Sequence, residues 1–265
     1  MGVVLLGGED HPVITVNAKS DSPFVLVCEH AGRRIPQSLG TLGLLERDLT
    51  RHIAWDIGAE GVARNLAELL GAPLILQRYS RLLYDCNRPP DASDAIPSVS
   101  ETTDIPANQK LTPEERLARI QEIYRPFHDA LAAVLDERAA QGSTSVLVTI
   151  HSFTPIYKGV RRRLDLGILH DRDRRFADAM LAQLGSMKDI LVRRNEPYGP
   201  EDGVCHTLNL HAGIRGLRHA MVEIRNDLIG EEAGQMAWAG KLADILTAAS
   251  AAPADAGRRA AGAAS

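Results

Sequence analysis

Residues 24–32 read FVLVCEHAG, a short apolar and β-branched run that stops abruptly at a glutamate and a histidine. A run of this kind, preceded by Asp21-Ser22-Pro23, is typical of a buried β-strand that ends in a polar turn. A second run follows at Pro73–Gln77, after residues 53–70, whose apolar side chains recur at helical spacing until Gly71. The order strand, helix, strand predicts an α/β fold.

The rest of the chain continues this alternation. Thr112-Pro113-Glu114-Glu115 has the pattern of a capping box with proline at the first helical position, and it predicts a helix that runs to about Leu135. The later predicted elements are strands at Ser145–Ile150, Asp165–Leu169, Asp189–Arg193 and Ala220–Ile224, a helix through Phe176 and Leu184, and a helix from about Glu231 to Ala248. This alternation favours a single domain with a mostly parallel or mixed sheet flanked by helices.

Three parts are expected along the chain. Residues 1–22 form an N-terminal extension, residues 23–249 form the α/β domain, and residues 250–265 form a disordered tail, because their small and polar side chains leave no face to bury. Residues 78–110 are rich in Pro, Ser, Asp and Asn and show no periodicity. A loop of this length inside a compact domain is expected to be functional or mobile.

Composition excludes several classes of protein. The 265 residues are 45% hydrophobic and 24% charged with a formal net charge of −4, and without a basic stripe this argues against nucleic acid or an anionic membrane as partner. No apolar run approaches the ~20 residues that span a bilayer, and the first residues lack a signal peptide's basic leader. The 3 cysteines are widely spaced, which argues against a disulfide scaffold. We expect a cytoplasmic protein of undetermined oligomeric state.

Polar residues that suit metal binding or acid–base catalysis follow three predicted strands. They are Glu29 and His30, His151, and Glu223 with Arg225. Ligands of parallel sheets bind at the carboxyl ends of strands, and a buried charge there costs several kcal/mol unless it is paired or metal-bound. Each alone fits a hydrogen-bonded histidine or a salt-bridged glutamate, but the three together favour a functional site.

A second group lies in residues 78–89, which read RYSRLLYDCNRP. Arginine forks bind carboxylates bidentately, so a concentration of arginines predicts an anionic group on the substrate. The alternative is that Asp85 pairs with Arg81 or Arg88 only to fix the loop.

Taken in their order along the chain, these motifs make the sequence resemble the N-formylglutamate amidohydrolase family. The matching segments are His30-Ala31-Gly32, Tyr79–Arg81, Asp85–Arg88, His151-Ser152, Asn195–Tyr198 and Glu223–Arg225. The resemblance runs from about residue 23 to 248. It implies a hydrolase of amide C–N bonds that depends on zinc (Zn2+), with a phosphorylase/hydrolase-like α/β fold distantly related to zinc carboxypeptidases and aspartoacylase.

The resemblance also implies a role for each matching residue. His30 and His151 would be metal ligands, and Glu223 would be the general base. Arg81 would support the carbonyl oxygen of the substrate. The residues that would hold a substrate carboxylate are Asn87 and Arg88, and Arg225 would also bind the substrate.

The third metal ligand is where the sequence departs from the carboxypeptidase pattern. Those relatives place a carboxylate three residues after the first histidine, where this chain has Arg33. A three-ligand zinc site needs another donor. We predict Asp56, in the first turn of its helix, ahead of Glu29, because neighbouring strand residues point to opposite faces, and ahead of His52. The alternative for Asp56 is a charge that stabilises the helix N-terminus.

Two further segments have an open interpretation. Asn195–Pro200 and Gly203–Thr207 form a Gly/Pro-rich loop that either covers the pocket, with Tyr198 or His206 reaching the substrate, or is a plain surface loop. The basic run Arg161-Arg162-Arg163 is expected to be a solvated face, or to draw in an anionic substrate.

The sequence is therefore compatible with three functions. The first is metal-dependent hydrolysis of a small N-acylated, possibly N-formylated, acidic amino acid or a related compound. Its partner is a small-molecule amide that carries a carboxylate. The second is a non-catalytic anion- or carboxylate-binding protein of the same fold, which the missing standard ligand favours. The third is a metal-dependent esterase or phosphatase.

Overall fold

The computed structural model describes residues 4–185 and 187–252. The strands are β1 (Val13–Val16), β2 (Phe24–Cys28), β3 (Leu74–Gln77), β4 (Val99–Ser100), β5 (Thr103–Asp104), β6 (Val146–Phe153), β7 (Ile156–Tyr157), β8 (Val160–Arg161), β9 (Leu166–Leu169), β10 (Val192–Arg194) and β11 (Arg218–Arg225). The helices are α1 (Ala59–Leu70), α2 (Pro113–Arg119), α3 (Arg125–Ala140), α4 (Arg175–Leu184) and α5 (Glu232–Ala251). A π-helical turn at Ile120–Tyr124 joins α2 to α3, and another at Leu208–Gly213 precedes β11.

A seven-stranded mixed sheet with the order β1-β3-β2-β6-β11-β9-β10 forms the centre of the fold. The four central strands β3, β2, β6 and β11 are mutually parallel, whereas β1 and β9 run antiparallel to β3 and β11. The carboxyl ends of the central strands therefore meet at one edge. The expected α/β fold, with a mixed sheet flanked by helices, is confirmed.

Strand β2 shows why the apolar runs are continuous. All of its residues are buried, with Val25 and Val27 packing on one face and Leu26 and Cys28 on the other. The first face is covered by α3, and the second by α1, α4 and α5. A strand covered on both faces has no polar alternation, as is usual for parallel strands.

The structure differs from the expected elements at three places. Residues 13–16, which lie in the expected N-terminal extension, form β1 and add an edge strand to the sheet; only Val13 in it is buried, so its sequence pattern is weak. The first helix begins at Ala59 rather than near residue 53, since Gly58 has a φ of 79°. Helix α5 runs three residues past its expected end at Ala248, and residues 253–265 of the predicted tail lie outside the described residues.

The unpatterned loop over residues 78–110 is anchored rather than loose. The buried guanidinium of Arg119 donates hydrogen bonds to the Leu83 carbonyl oxygen at 3.0 Å and to Asn108 Oδ1 at 2.7 Å. The side-chain amide of Asn108 in turn donates to the carbonyl oxygens of Leu82 and Pro97, at 2.8 Å each. Side-chain bonds to the backbone thus hold this loop in place, in addition to the short hairpin of β4 and β5. Among the described helices, none is long and apolar enough to cross a membrane.

Candidate active site

A cavity of about 290 Å³ lies at the carboxyl ends of β2, β6 and β11. Its wall includes His30, Asp56, Arg81, His151, Tyr198 and Glu223. The register of β11 against β6 pairs Glu223 with His151, which places these two residues side by side. Topology thus brings together three predicted strand-end residues from distant parts of the chain.

Two histidine rings and one carboxylate converge inside the cavity. Asp56 Oδ2 lies 3.3 Å from His30 Nδ1 and 2.9 Å from His151 Nδ1. All three side chains are buried, and one ligand atom from each lies within 4.8 Å of the others. Two donors bound at 2.0–2.1 Å to a tetrahedral zinc ion stand about 3.3–3.4 Å apart, so this donor set and spacing fit a zinc ion.

Asp56 is held in place by the turn that precedes α1. Its backbone N–H donates to the His30 carbonyl oxygen at 3.0 Å, and the Ser152 backbone N–H donates to Oδ2 at 3.3 Å. Burial by itself would raise the pKa of Asp56, but the His30 and His151 imidazoles outweigh it and lower that pKa below its usual value. Asp56 therefore presents an ionised oxygen between the two rings.

Each ring also meets a second carboxylate on its outer side. His30 Nε2 lies 2.7 Å from Asp85 Oδ1, and His151 Nε2 lies 3.0 Å from Glu29 Oε2. Glu29, the second candidate for the third ligand, is thus behind His151 rather than among the three donors. His52, the third candidate, lines the cavity but is outside the group of three and lies 3.4 Å from Glu101.

Arg81 joins two of the carboxylates. It donates to Asp56 Oδ1 at 3.2 Å and to Asp85 Oδ2 at 2.7 Å, and it lines the cavity. The alternative in which Asp85 pairs with an arginine to fix the loop is therefore present in the structure. It does not exclude the role predicted for Arg81, because a guanidinium has five donors.

Glu223 is a buried carboxylate with unmet hydrogen-bonding capacity. Its Oε2 atom has no hydrogen-bond partner in the described part of the chain. Burial and the nearby Asp56 carboxylate raise the pKa of Glu223 to about 7, although the His151 imidazole acts in the opposite direction. The group therefore exchanges a proton readily near neutral pH.

Asn87 and Arg88 line the cavity, and both also form hydrogen bonds with the backbone of residues 203–207. The Asn87 side-chain amide donates to the Val204 carbonyl oxygen, and its Oδ1 accepts from the Thr207 backbone N–H at 3.0 Å. Arg88 donates to the Gly203 carbonyl oxygen at 3.1 Å. Their predicted contact with a substrate carboxylate stays a prediction, and Arg88 is the better placed because its acidic partner, Asp94, is exposed.

Tyr198 lines the cavity as expected of a covering loop, and it has a partner that the sequence did not suggest. Arg162 donates to the Tyr198 hydroxyl at 3.0 Å and lies over the rings of Tyr157 and Tyr198, 4.5 and 4.8 Å from their centroids. The middle residue of the basic run is therefore half-buried among aromatic rings, whereas Arg161 and Arg163 are exposed as expected.

Two predicted substrate-binding residues are not brought to the cavity wall. His206 Nε2 lies 2.9 Å from the Tyr124 hydroxyl. Arg225 pairs with Asp165 at 2.9 Å and donates to the Arg163 and Leu164 carbonyl oxygens. Arg225 belongs to the same sequence motif as Glu223. Its side chain, however, bonds to residues 163–165 and does not reach the cavity.

The sequence did not reveal Glu101, which lines the cavity from the turn between β4 and β5. It accepts hydrogen bonds from the Arg51 guanidinium at 2.9 Å and from the Lys158 backbone N–H at 3.1 Å. Glu101 lies in the unpatterned loop, where no periodicity or motif distinguishes it from other acidic residues.

Comparison with known proteins gives a consistent result. Residues 22–230 match the family model described as N-formylglutamate amidohydrolase. The gene product Atu2144 of Agrobacterium tumefaciens is 51% identical, over 93% of this chain and 98% of its own, with a TM-score of 0.91. The N-formylglutamate amidohydrolase of Ralstonia eutropha JMP134 is 20% identical, over 91% and 98%, with a TM-score of 0.68, a likeness that shows the fold. None of the curated proteins compared with the chain matches it.

Proposed function

Because the chain belongs to the N-formylglutamate amidohydrolase family and is a hydrolase of amide C–N bonds, we propose that it hydrolyses a small N-acylated, most simply N-formylated, acidic amino acid with the help of zinc. One observation carries the proposal. His30, Asp56 and His151 converge in a cavity that also holds the unpartnered carboxylate of Glu223.

The donor set supports zinc as the metal. Two imidazoles and one carboxylate form a common ligand set of catalytic zinc sites, which keep a fourth position open. When bound, zinc would polarise the scissile carbonyl and lower the pKa of a water molecule toward ~7. The residues that would hold it are His30, Asp56 and His151.

Glu223 supplies the acid–base chemistry in this proposal. Its free Oε2 accepts the proton of the attacking water and later returns it to the leaving nitrogen. A pKa of about 7 suits both transfers, since a group with that pKa is neither too weak a base nor too weak an acid near neutral pH.

Two arginines bind and orient the substrate. Arg81 donates to the carbonyl oxygen as negative charge develops there, and loss of one such donor typically costs ~10²–10³ in rate. Arg88 forms an ion pair with a carboxylate of the amino acid, exchanging its exposed partner Asp94 for the substrate. Asn87 keeps the 203–207 segment in place beside that carboxylate.

The two alternative functions predict different outcomes. The argument for a non-catalytic carboxylate-binding protein was that the standard third metal ligand is missing. Asp56 offers a carboxylate in its place, which weakens that argument. An esterase or phosphatase would use the same donors, so only the substrate distinguishes it.

The test is metal analysis combined with a substrate panel. Purified protein is expected to hold about one zinc per chain and to hydrolyse N-formyl-L-glutamate or N-formyl-L-aspartate, with activity lost to a chelator and restored by zinc. The matched controls are N-formyl-L-glutamine, an ester and a phosphate monoester of similar size. Carboxylate binding without hydrolysis, or a preference for the ester or the phosphate, would overturn the proposal.

A further inference from the structure

We propose that Glu29 is a positioning residue of the metal centre: its carboxylate accepts the Nε2 proton of His151 and so leaves Nδ1 of that ring free to face the metal. The inference rests on the proposed function, because it concerns the ion that the three donors would hold. In this role Glu29 is not a metal ligand, although the sequence made it a candidate for the third ligand.

The contacts of His151 support this role. One ring nitrogen, Nδ1, lies 2.9 Å from Asp56 Oδ2, and the other, Nε2, lies 3.0 Å from Glu29 Oε2. Both residues are buried, with Glu29 exposed by 1% and His151 by 2%. Nε2 of His151 and both oxygens of Glu29 have no hydrogen-bond partner of regular geometry among residues 4–185 and 187–252, and the 3.0 Å ion-pair contact brings these two groups together.

His30 has the same arrangement with a different carboxylate. Its Nδ1 faces Asp56, and its Nε2 lies 2.7 Å from Asp85 Oδ1. A neutral imidazole carries one proton, and a metal bound at Nδ1 together with a carboxylate at Nε2 would place that proton on Nε2. Both rings thus present Nδ1 inward, which a metal requires to be unprotonated.

The fold explains why Glu29 reaches His151 and not the metal. Glu29 and His30 form the turn that follows β2, and His30 belongs to the three-donor group. The Glu29 carboxylate instead contacts Nε2 of His151 on the adjacent strand β6, on the side of the ring away from Asp56. Asp85 is also held by Arg81 and by the Asn87 backbone N–H, whereas a further group that acts on the Glu29 carboxylate is the Thr207 hydroxyl.

The experiment compares the zinc affinity of wild type, Glu29→Gln and Thr149→Val by competition with a chromophoric chelator. Thr149 is a matched control, because it is buried on β6 two residues before His151 and its hydroxyl has no hydrogen-bond partner in the described structure. Loss of an outer partner of a metal ligand typically costs 10–100-fold in affinity. We expect a loss of this size, roughly 10–100-fold, for Glu29→Gln, and a change within about threefold for Thr149→Val.

A second readout does not depend on activity. In ¹⁵N NMR spectra of the zinc-loaded wild type, the His151 ring is expected to carry its proton on Nε2. Glu29→Asp keeps the negative charge and is expected to recover part of the affinity that Glu29→Gln loses. Equal zinc affinity of Glu29→Gln and wild type, or a proton on Nδ1, would overturn the inference. A wild type that binds no zinc would instead overturn the proposed metal centre itself.

Discussion

The guanidinium of Arg162 donates a hydrogen bond to the hydroxyl of Tyr198 over 3.0 Å. The same guanidinium lies on the faces of Tyr157 and Tyr198, contacts worth about 0.5–2 kcal/mol each. Since Tyr198 lines the cavity, Arg162 fixes the position of a side chain of the cavity wall, although Arg162 is not itself part of the wall.

We therefore predict that Arg162→Gln raises KM several-fold and changes kcat less, because substrate positioning is lost while the acid–base groups stay in place. Steady-state kinetics on the preferred substrate would measure both constants. The control is Arg161→Gln, which alters the exposed neighbour in the same basic run. A fall in kcat at unchanged KM would contradict the positioning role.

Glu223→Gln is expected to lower kcat by about 10²–10⁴-fold, the usual effect of losing a general acid–base group. The amide keeps the shape of the side chain but accepts no proton. Zinc content, measured on the same preparation, should stay at the wild-type level because Glu223 is not a ligand in the proposed centre. A variant that retains most of its kcat would assign the proton transfer to another residue.

Asp56→Asn should weaken zinc binding strongly, because it replaces the ionised oxygen between the two imidazoles with a neutral amide. Dialysis followed by metal analysis would reveal the loss, and Asp104→Asn, an exposed change on β5, provides the control. If Asp56→Asn holds zinc as firmly as wild type, the third donor lies elsewhere.

His128 and His211 make stability depend on pH. Their rings stack with centroids 5.1 Å apart, and the Nδ1 of His128 lies 2.8 Å from Nε2 of His211. Burial, reinforced by neighbouring positive charge, lowers the pKa of His128 to about 3 and that of His211 to about 4. The unfolded chain binds protons with a pKa near 6.5, so stability is retained above that pH and lost as pH falls from about 6.5 toward 4.

The expected slope is up to about 1.4 kcal/mol per pH unit for each histidine. Urea unfolding between pH 7.5 and 5.0 would measure it, with a chelator present so that metal release does not contribute. His211→Gln should reduce the slope by as much as one proton per chain. An unchanged slope would show that His211 does not contribute to the pH dependence of stability.

The strands and helices that have a distinct local sequence pattern could be predicted from the sequence. Strand β2 was bounded correctly because a doubly covered strand is apolar throughout. The start of α2 was predicted correctly because its capping box is present at Thr112 and Glu115, but the π-helical turn that ends α2 was not expected. Strand β1 was missed because an edge strand with one fully buried residue resembles a loop.

Long-range relationships could not be predicted in the same way. Nothing local indicates that Asn87 fastens the 203–207 segment, or that Arg225 turns toward Asp165 instead of the cavity. The outer contact of Glu29 depends on which nitrogen of His151 faces it, and only the assembled sheet determines this.

The bond between the Lys158 backbone N–H and Glu101 ties the turn between β7 and β8 to the turn between β4 and β5. Both turn residues have a positive φ, 48° for Lys158 and 56° for Glu101, so each hairpin reverses direction sharply at this point. Ser100, Glu101 and Tyr157 of the two hairpins line the cavity. Each turn therefore limits how far the other can move away from the cavity, so this side of the wall is expected to respond as one unit when either hairpin is altered.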